Sequence, residues 1–191
     1  ALRFDRTQSP RHVLVVGGGP AGLDVARLLA ARGHHVTLRE ASTRLGGTLV
    51  DAAAADPILS AYLGWLVREV ERAEVTLELG TAVGPCDVPA GVDEIVVATG
   101  AAWSAPEVPG RGDRVRSLAD LRGWLHDGDG TVGDRVMILG HGKAALSIAE
   151  LALSRGHQVT VVGSEAYFAP ELGLPGRYRL VAELSAGGAQ L

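Results

Sequence analysis

The sequence predicts an α/β fold built from two βαβ units on parallel sheets, the second unit incomplete. The first observation is a repeat: residues 13–40, VLVVGGGPAGLDVARLLAARGHHVTLRE, return without a gap as residues 136–163, VMILGHGKAALSIAELALSRGHQVTVVG. The second is that each copy passes from four apolar residues to glycines and then to a stretch of helical period. The four apolar residues are typical of a strand buried on both faces of a parallel sheet.

Composition indicates a globular protein whose partners are small molecules. Eighteen basic and 22 acidic residues give a net charge of −4, with no block of like charge, which argues against nucleic acid and anionic membranes as partners. The chain has no signal-like or bilayer-length apolar run, and we expect a cytoplasmic location. A single cysteine, Cys86, excludes a CxxC redox pair, and the histidines show no metal-ligand spacing. We therefore expect no metal, and any redox chemistry needs a bound cofactor.

A glycine loop follows the first predicted strand. Gly17, Gly19 and Gly22 have the spacing G-x-G-x-x-G. The first glycine permits a tight turn, the second lets the backbone approach a pyrophosphate, and the third allows close packing of helix and strand. The helix predicted over residues 20–32 would direct its unpaired N–H groups at that phosphate.

An acidic residue completes the first predicted site. The second strand, residues 35–39, ends at Glu40, about eighteen residues past the last glycine of the loop. At that position a carboxylate can accept hydrogen bonds from both hydroxyls of an adenosine ribose. The combination predicts a dinucleotide site, and the alternative is a tight loop without a ligand.

The second copy keeps the glycine loop with changes. Gly140 and Gly142 are retained, Ala145 replaces the third glycine, and Lys143 could add a charge at a bound pyrophosphate or lie in solvent. Gly163 stands where the first copy has its acid, so this site is expected to be weaker or differently specific. The alternative is a duplicated fold whose second site has decayed.

The remaining elements are predicted from apolar period and turn residues. A helix is expected over residues 58–73, strands over 75–79 and 94–98, the latter buried, and a further helix over 177–186. Residues 1–103 then form the first domain, 104–130 a linker and 131–191 a partial second domain.

Three runs carry a family resemblance: VVGGGPAGLDVARLLAARGHHVTLREASTRLGGTL, DEIVVATGA and ILGHGKAALSIAELALSRGHQVTVV. Together they resemble the two-dinucleotide-domain flavoproteins, and most closely the C-terminal half of the NADH:flavin oxidoreductases related to old yellow enzyme. That group contains 2,4-dienoyl-CoA reductase and trimethylamine dehydrogenase. The resemblance implies a Rossmann-like FAD/NAD(P)-binding fold with FAD, or ADP in its place, in the first domain and NAD(P)H as second nucleotide.

The resemblance also implies cofactor contacts, which fall into six groups. These are Gly17, Gly19, Pro20, Ala21 and Gly22 at the FAD pyrophosphate; Glu40, with the adjacent Ala41, at the ribose; Arg44, Gly47 and Thr48 toward the flavin; Val83 at the adenine; Ala98, Thr99 and Gly100 beside the FAD; and Gly140, Gly142 and Lys143 at the nicotinamide nucleotide.

The expected function is that of the FAD- and NAD(P)-binding portion of a flavin-dependent oxidoreductase. Hydride would pass from NAD(P)H to FAD, and electrons would pass onward to a substrate site outside this segment. No acid–base constellation suggests a catalytic residue, so the chain is expected to be a fragment of a larger flavoenzyme, inactive alone. The alternative is a non-catalytic structural module that holds ADP or another nucleotide; a flavin-free NAD-dependent dehydrogenase is less favoured because it gives no reason for the ATG segment at residues 98–100.

Overall fold

The structure, a computed structural model, describes residues 5–101, 108, 112, 114–128 and 132–191. The chain divides into two compact units, Ala1–Ser117 and Leu118–Leu191, and each contains a parallel sheet with helices, which confirms the predicted α/β class. The predicted boundaries after residues 103 and 130 stay a prediction. Parts of the predicted linker, residues 104–107, 109–111, 113 and 129–130, lie outside the described residues.

The first unit is built on four parallel strands in the order β3-β2-β1-β4. Its elements are β1 (His12–Val16), α1 (Pro20–Ala31), β2 (His35–Glu40), α2 (Thr48–Ala53), α3 (Pro57–Arg72), β3 (Thr76–Leu79) and β4 (Glu94–Val97). Proline opens both α1 and α3, where its missing N–H costs no helical hydrogen bond. Asp56 caps α3 by accepting from the Ile58 N–H at 2.8 Å.

Helices α1 and α3 form the core of the first unit with the two central strands. Val15 of β1, Leu38 of β2, Leu23 of α1 and Leu66 of α3 are all fully buried. Burial of such side chains stabilises the fold by about 1.5–3 kcal/mol each, and it holds the carboxyl ends of β1 and β2 side by side. The glycine loop follows β1 directly, and the acidic residue, Glu40, is the last residue of β2.

The predicted burial of strand β4 is wrong. The run at residues 94–98 was expected to be a buried strand, yet Ile95 is 44% exposed and Val97 is 74% exposed. The physical reason is position: β4 lies at the edge of the sheet and, in the described part of the chain, pairs with β1 alone. An apolar run predicts a strand here but not what covers it.

The second unit has a two-stranded parallel sheet. Its elements are α4 (Arg122–Asp127) after a short 3₁₀ turn (Ala119–Leu121), β5 (Arg135–Leu139), α5 (Lys143–Ser154), β6 (Gln158–Val162) and α6 (Leu174–Ala186). The core contains Ile138, Leu146 and Leu184, which are nearly or fully buried. Beyond α6, Gln190 extends the sheet along β6 by donating from its N–H to the Val159 oxygen at 3.0 Å.

Strand β5 also departs from the prediction of burial on both faces. Ile138 is 8% exposed, whereas its neighbours Met137 and Leu139 are 66% and 52% exposed. Because successive side chains of a strand point to opposite faces, α5 covers one face and the alternate residues of β5 face away from it. Among the described helices of both units, none is long and apolar enough to cross a membrane.

Candidate dinucleotide-binding sites

The first glycine loop turns tightly between β1 and α1. Gly17 has a φ of +108° and donates from its N–H to the Arg39 oxygen at 2.8 Å. A Cβ at Gly17 would overlap the carbonyl oxygen of Ala98 and lie 3.0 Å from the Thr99 nitrogen. The loop therefore passes directly against the chain that leaves β4, and glycine is required by both the φ angle and the space.

The other two glycines of the motif have different surroundings. A Cβ at Gly22 would overlap the carbonyl oxygen of Gly17, so its absence lets α1 pack directly on the loop. A Cβ at Gly19 would meet nothing within 4 Å, so the backbone here is open to an approaching ligand. No side chain of the described residues caps α1, which leaves the N–H groups of Ala21 and Gly22 without a side-chain acceptor, while Pro20 has none to offer. Such an uncapped helix start favours an anion.

Glu40 is held beside this loop before any ligand binds. Its Oε2 accepts a hydrogen bond from the Gly18 N–H at 2.6 Å, and its Oε1 accepts one from the Ser42 N–H at 2.8 Å. An ionised carboxylate has about four lone-pair positions, so one on each oxygen remains for a further donor. This is the acceptor geometry that two neighbouring ribose hydroxyls require.

The pKa of Glu40 reflects the same contacts. Partial burial raises the pKa of this carboxyl, but the hydrogen bonds from Ser42 and Gly18 lower it and determine the net direction, which is below the ordinary value. The carboxyl is therefore ionised at neutral pH and presents a negative charge to its donors.

This pKa shift gives the first testable expectation. A depressed folded-state pKa contributes stability above the ordinary value of about 4.3, and that stability is lost as pH falls through the folded-state value. At neutral pH, Glu40→Gln should therefore lower the free energy of unfolding by about 1 kcal/mol, a modest figure because the carboxylate is partly exposed. Urea denaturation across pH is the measurement. A wild-type advantage that stays constant on acidification below pH 4 would contradict the assignment.

The segment after β2 returns to the glycine loop. The Gly46 N–H donates to the Gly18 oxygen at 2.7 Å, and a Cβ at Gly47 would lie 3.1 Å from the Cα of Gly19. Thr48 then begins α2 beside the loop. The structure thus brings this predicted turn to the predicted phosphate loop.

The remaining predicted residues of the first unit are less closely tied to the loop. Ala41 and Arg44 lie in the exposed turn after Glu40. Val83 is partly buried, and two residues before it the Thr81 N–H donates to the Glu40 oxygen at 2.8 Å. This bond ties the chain after β3 to the end of β2.

The chain after β4 also reaches the loop. Ala98 donates from its N–H to the Val16 oxygen at 2.8 Å. The next two residues, Thr99 and Gly100, are exposed, and Gly100 has a φ of +72°. Sequence reasoning missed Gly18 and Ser42, whose backbone N–H groups hold Glu40. Backbone donors carry no residue-type signal, so only the structure could reveal them.

The second glycine loop repeats the first in its backbone. Gly140, at a φ of +152°, donates to the Val162 oxygen at 2.9 Å, as Gly17 does to Arg39. Gly142 precedes α5 with φ and ψ of −75° and 171°, close to the −73° and 179° of Gly19. The methyl of Ala145 would lie 3.2 Å from a Cβ at Gly140, so α5 accommodates alanine in the third position.

The second loop differs in what lies against it. The Lys143 N–H donates to Oε2 of Glu171 at 3.2 Å, and a Cβ at Gly142 would lie 2.6 Å from Oε1 of the same carboxylate. At Gly163, in the position equivalent to Glu40, a Cβ would lie 2.6 Å from the Cβ of His141. The side chain of Lys143 is exposed. Glu171 was not predicted, because it has no fixed spacing from the glycine motif.

Among the described residues, no group of three or more His, Cys, Asp or Glu residues is placed to hold a metal ion. Cys86, the only cysteine of the sequence, is exposed in the loop after β3.

A parallel α/β unit with an uncapped helix after a glycine loop, and an ionised acid at the end of the second strand, defines a dinucleotide-binding protein. Comparison with known families agrees. The chain belongs to the pyridine nucleotide-disulphide oxidoreductase family, whose sequence model matches residues 1–83 and 66–188. This is a family of flavin-dependent oxidoreductases that bind FAD and NAD(P)H, and the predicted Rossmann-like fold and resemblance are confirmed.

Individual relatives are of the amine dehydrogenase and reductase type. The chain is 35% identical over 160 residues to N,N-dimethylglycine/sarcosine dehydrogenase of Chromohalobacter salexigens, covering 80% of this chain and 23% of that protein. It is 30% identical to dimethylamine dehydrogenase of Hyphomicrobium sp., covering 95% and 28%. The structure of a 2-naphthoyl-CoA reductase superposes with a TM-score of 0.84 at 26% identity, covering 97% and 28%. The chain therefore spans about a quarter of the length of these proteins.

Proposed function

We propose that this chain is the FAD- and NAD(P)-binding portion of a larger flavin-dependent oxidoreductase, with FAD in the first unit and NAD(P)H at the second. The observation that carries the proposal is the pairing of an uncapped α1 with a preorganised Glu40 on the same loop. The uncapped helix start would bind a phosphate and the carboxylate would bind a ribose, two groups that an adenosine pyrophosphate presents together.

The first site fits the FAD of the family on structural grounds. Open space at Gly19 lets phosphate oxygens approach the backbone, and the N–H groups of Ala21 and Gly22 are available to them. Free lone pairs on Glu40 can accept the ribose hydroxyls. The FAD, when bound, supplies an acceptor for a hydride from NAD(P)H.

The chain's own residues bind and orient under this proposal. Gly17 and Gly22 keep the loop close to α1 and to Ala98, so that the phosphate site has a fixed shape. Arg44, Gly47 and Thr48 would lie toward the flavin, with Thr99 and Gly100 beside it and Val83 at the adenine. In the second unit Gly140, Gly142 and Lys143 would receive the nicotinamide nucleotide.

The substrate site is proposed to lie elsewhere in a longer protein. The relatives are about four times as long as the region matched. Electrons would pass from the flavin to that site, so the segment alone would bind cofactor without completing turnover.

The assignment of Glu40 is tested by charge removal. Glu40→Gln keeps the shape of the side chain but removes the charge that strengthens its hydrogen bonds, each worth about 1.5–3 kcal/mol, so the FAD dissociation constant should rise about tenfold or more. Glu71→Gln is the matched control, since Glu71 is an exposed acid on α3. Titration calorimetry with FAD measures both. Equal affinity in wild type and Glu40→Gln would overturn the assignment.

A structural module that holds only ADP is the second candidate. One observation favours it: the second glycine loop already has a carboxylate of the chain against it, at Gly142 and Lys143. Glu40 would bind adenosine under either function, so the flavin half of the ligand discriminates. FAD that binds more tightly than ADP, and loses its oxidised absorbance on anaerobic addition of NADH, supports the oxidoreductase. Equal affinity for ADP and FAD without such reduction supports the module.

A further inference from the structure

The two glycine loops have similar backbone conformations, but the space beside the backbone differs between them. At Gly19 the space beyond the backbone is open. At the equivalent Gly142 that space is taken by Glu171, whose Oε1 would be 2.6 Å from a Cβ there and whose Oε2 accepts from the Lys143 N–H at 3.2 Å. A carboxylate thus sits where the first loop leaves room for a phosphate.

Glu171 belongs to the segment of residues 163–173, the strap, whose backbone hydrogen bonds hold Glu171 beside the second glycine loop. The Ala169 N–H donates to the His141 oxygen at 2.6 Å, within the glycine loop itself. Ala169 is fully buried at a φ of +49°, and the Leu172 N–H closes the following turn onto the Ala169 oxygen at 3.1 Å. A buried alanine in the left-handed region is retained only where surrounding contacts determine it.

The start of the strap is fitted to the same loop. Gly163 follows β6 directly, and a Cβ there would lie 2.6 Å from the Cβ of His141 and 3.3 Å from the ring of Phe168. An acid at this position, such as the first unit has in Glu40, would not fit this conformation. The missing ribose acceptor and the carboxylate on the loop therefore belong to one arrangement of the strap.

We propose that the Glu171 carboxylate occupies the phosphate position of the second glycine loop and competes with a dinucleotide for it. A dinucleotide then binds only when the strap moves the Glu171 carboxylate away from the loop. This inference rests on the proposed function, in which the second unit receives NAD(P)H. The Lys143 N–H and the positive end of α5 are groups that a pyrophosphate would use, and they interact with Glu171 instead. A bound pyrophosphate beside an undisplaced carboxylate would also face like-charge repulsion.

The test compares Glu171→Gln and Glu171→Ala with wild type and with Glu150→Gln in the complete chain. Glu150 is an exposed acid of α5, about two turns past Lys143, so its substitution makes the same charge change away from the loop. Backbone ¹⁵N–¹H spectra report each loop separately, through the amides of Gly142 and Lys143 in the second unit and of Gly18 and Gly19 in the first. Both Glu171 variants should shift the Lys143 amide without any nucleotide, and Glu150→Gln should not.

Nucleotide titration then measures the competition. With FAD saturating the first site, the NADH dissociation constant read at Gly142 and Lys143 should fall about fivefold in Glu171→Ala, the size of a typical helix-cap contribution, and less in Glu171→Gln. Glu150→Gln should bind NADH as wild type does. Equal NADH affinity in wild type and both Glu171 variants, or NADH binding at this loop in none of them, would overturn the inference.

The test distinguishes a failure of this inference from a failure of the proposed function. Failure of FAD to perturb the Gly18 and Gly19 amides would contradict the FAD assignment, whatever the Glu171 variants do. FAD binding at the first loop, combined with an NADH affinity at the second loop that ignores Glu171, would overturn the inference alone. NADPH is titrated in parallel, so that a preference for the phosphorylated nucleotide is not taken for an absence of binding.

Discussion

Gly22→Ala is expected to lower the free energy of unfolding of the first unit by about 3 kcal/mol, the upper range for overpacking a close contact. The added methyl would overlap the carbonyl oxygen of Gly17, which is backbone and cannot rotate away. Relief would require α1 to move off the loop, and Leu23 and Ala26 of that helix are fully buried against the sheet. This loss is a large part of the 5–15 kcal/mol that stabilises a typical domain.

Hydrogen exchange measures this loss where it occurs. The amides of Leu14 and Val15, in the central strand of the first unit, should lose protection in Gly22→Ala, while those of Val159 and Val161 in β6 should keep theirs. Gly176→Ala is the matched control, because Gly176 lies in α6 with nothing within 4 Å of a Cβ. It should be neutral or stabilising by up to about 1 kcal/mol. Unchanged protection of Leu14 and Val15 in Gly22→Ala would contradict the close packing of α1 on the glycine loop.

Gly19→Ala is expected to leave the fold intact and to reduce the affinity for FAD, in contrast to Gly22→Ala. Gly19 has an ordinary φ of −73° and free space for a methyl, so the stability should be unchanged or slightly higher. The same methyl would stand in the space through which a pyrophosphate reaches the backbone. A steric cost of about 1–3 kcal/mol corresponds to a dissociation constant for FAD raised by roughly tenfold to a hundredfold.

Calorimetry with FAD and thermal unfolding of the same sample check this second expectation. FAD affinity equal to that of wild type would mean that the ligand does not approach the backbone at Gly19, and the phosphate assignment would fail. A large loss of stability would instead mean that the space beside Gly19 is needed by the protein itself. Together, Gly19→Ala and Gly22→Ala separate binding from packing within four residues of one motif.

The arrangement of the first glycine loop and Glu40 could be predicted from the sequence because its determinants are local. Gly17, Gly19, Gly22 and Glu40 are related by spacings that a βαβ unit imposes, and the structure places Glu40 on the loop as expected. Helices α1 and α3 begin and end within one residue of their predicted bounds, whereas α6 begins three residues before the predicted start at residue 177. Short-range geometry of this kind depends little on what packs against the unit.

The parts that could not be predicted depend on longer paths of the chain. An apolar run does not show which face of a strand is covered, so the exposure of Val97 and Met137 was missed. Glu171 follows the strand end by a route with no repeat period, and only the turn at Ala169 brings it back to the loop. The sequence showed that Gly163 lacks a carboxylate, but not that another carboxylate comes close to the same loop.

The two carboxylates also imply an order of events in time. At the first loop Glu40 is already held by two backbone donors, so this acceptor is in position before a ligand arrives. The rate of ligand binding there is set by diffusion and orientation. At the second loop the arrival of a ligand must wait for the strap to move Glu171 away. Loading of the chain is therefore expected to be sequential, with a fast first nucleotide and a second whose entry is limited by the opening of the protein.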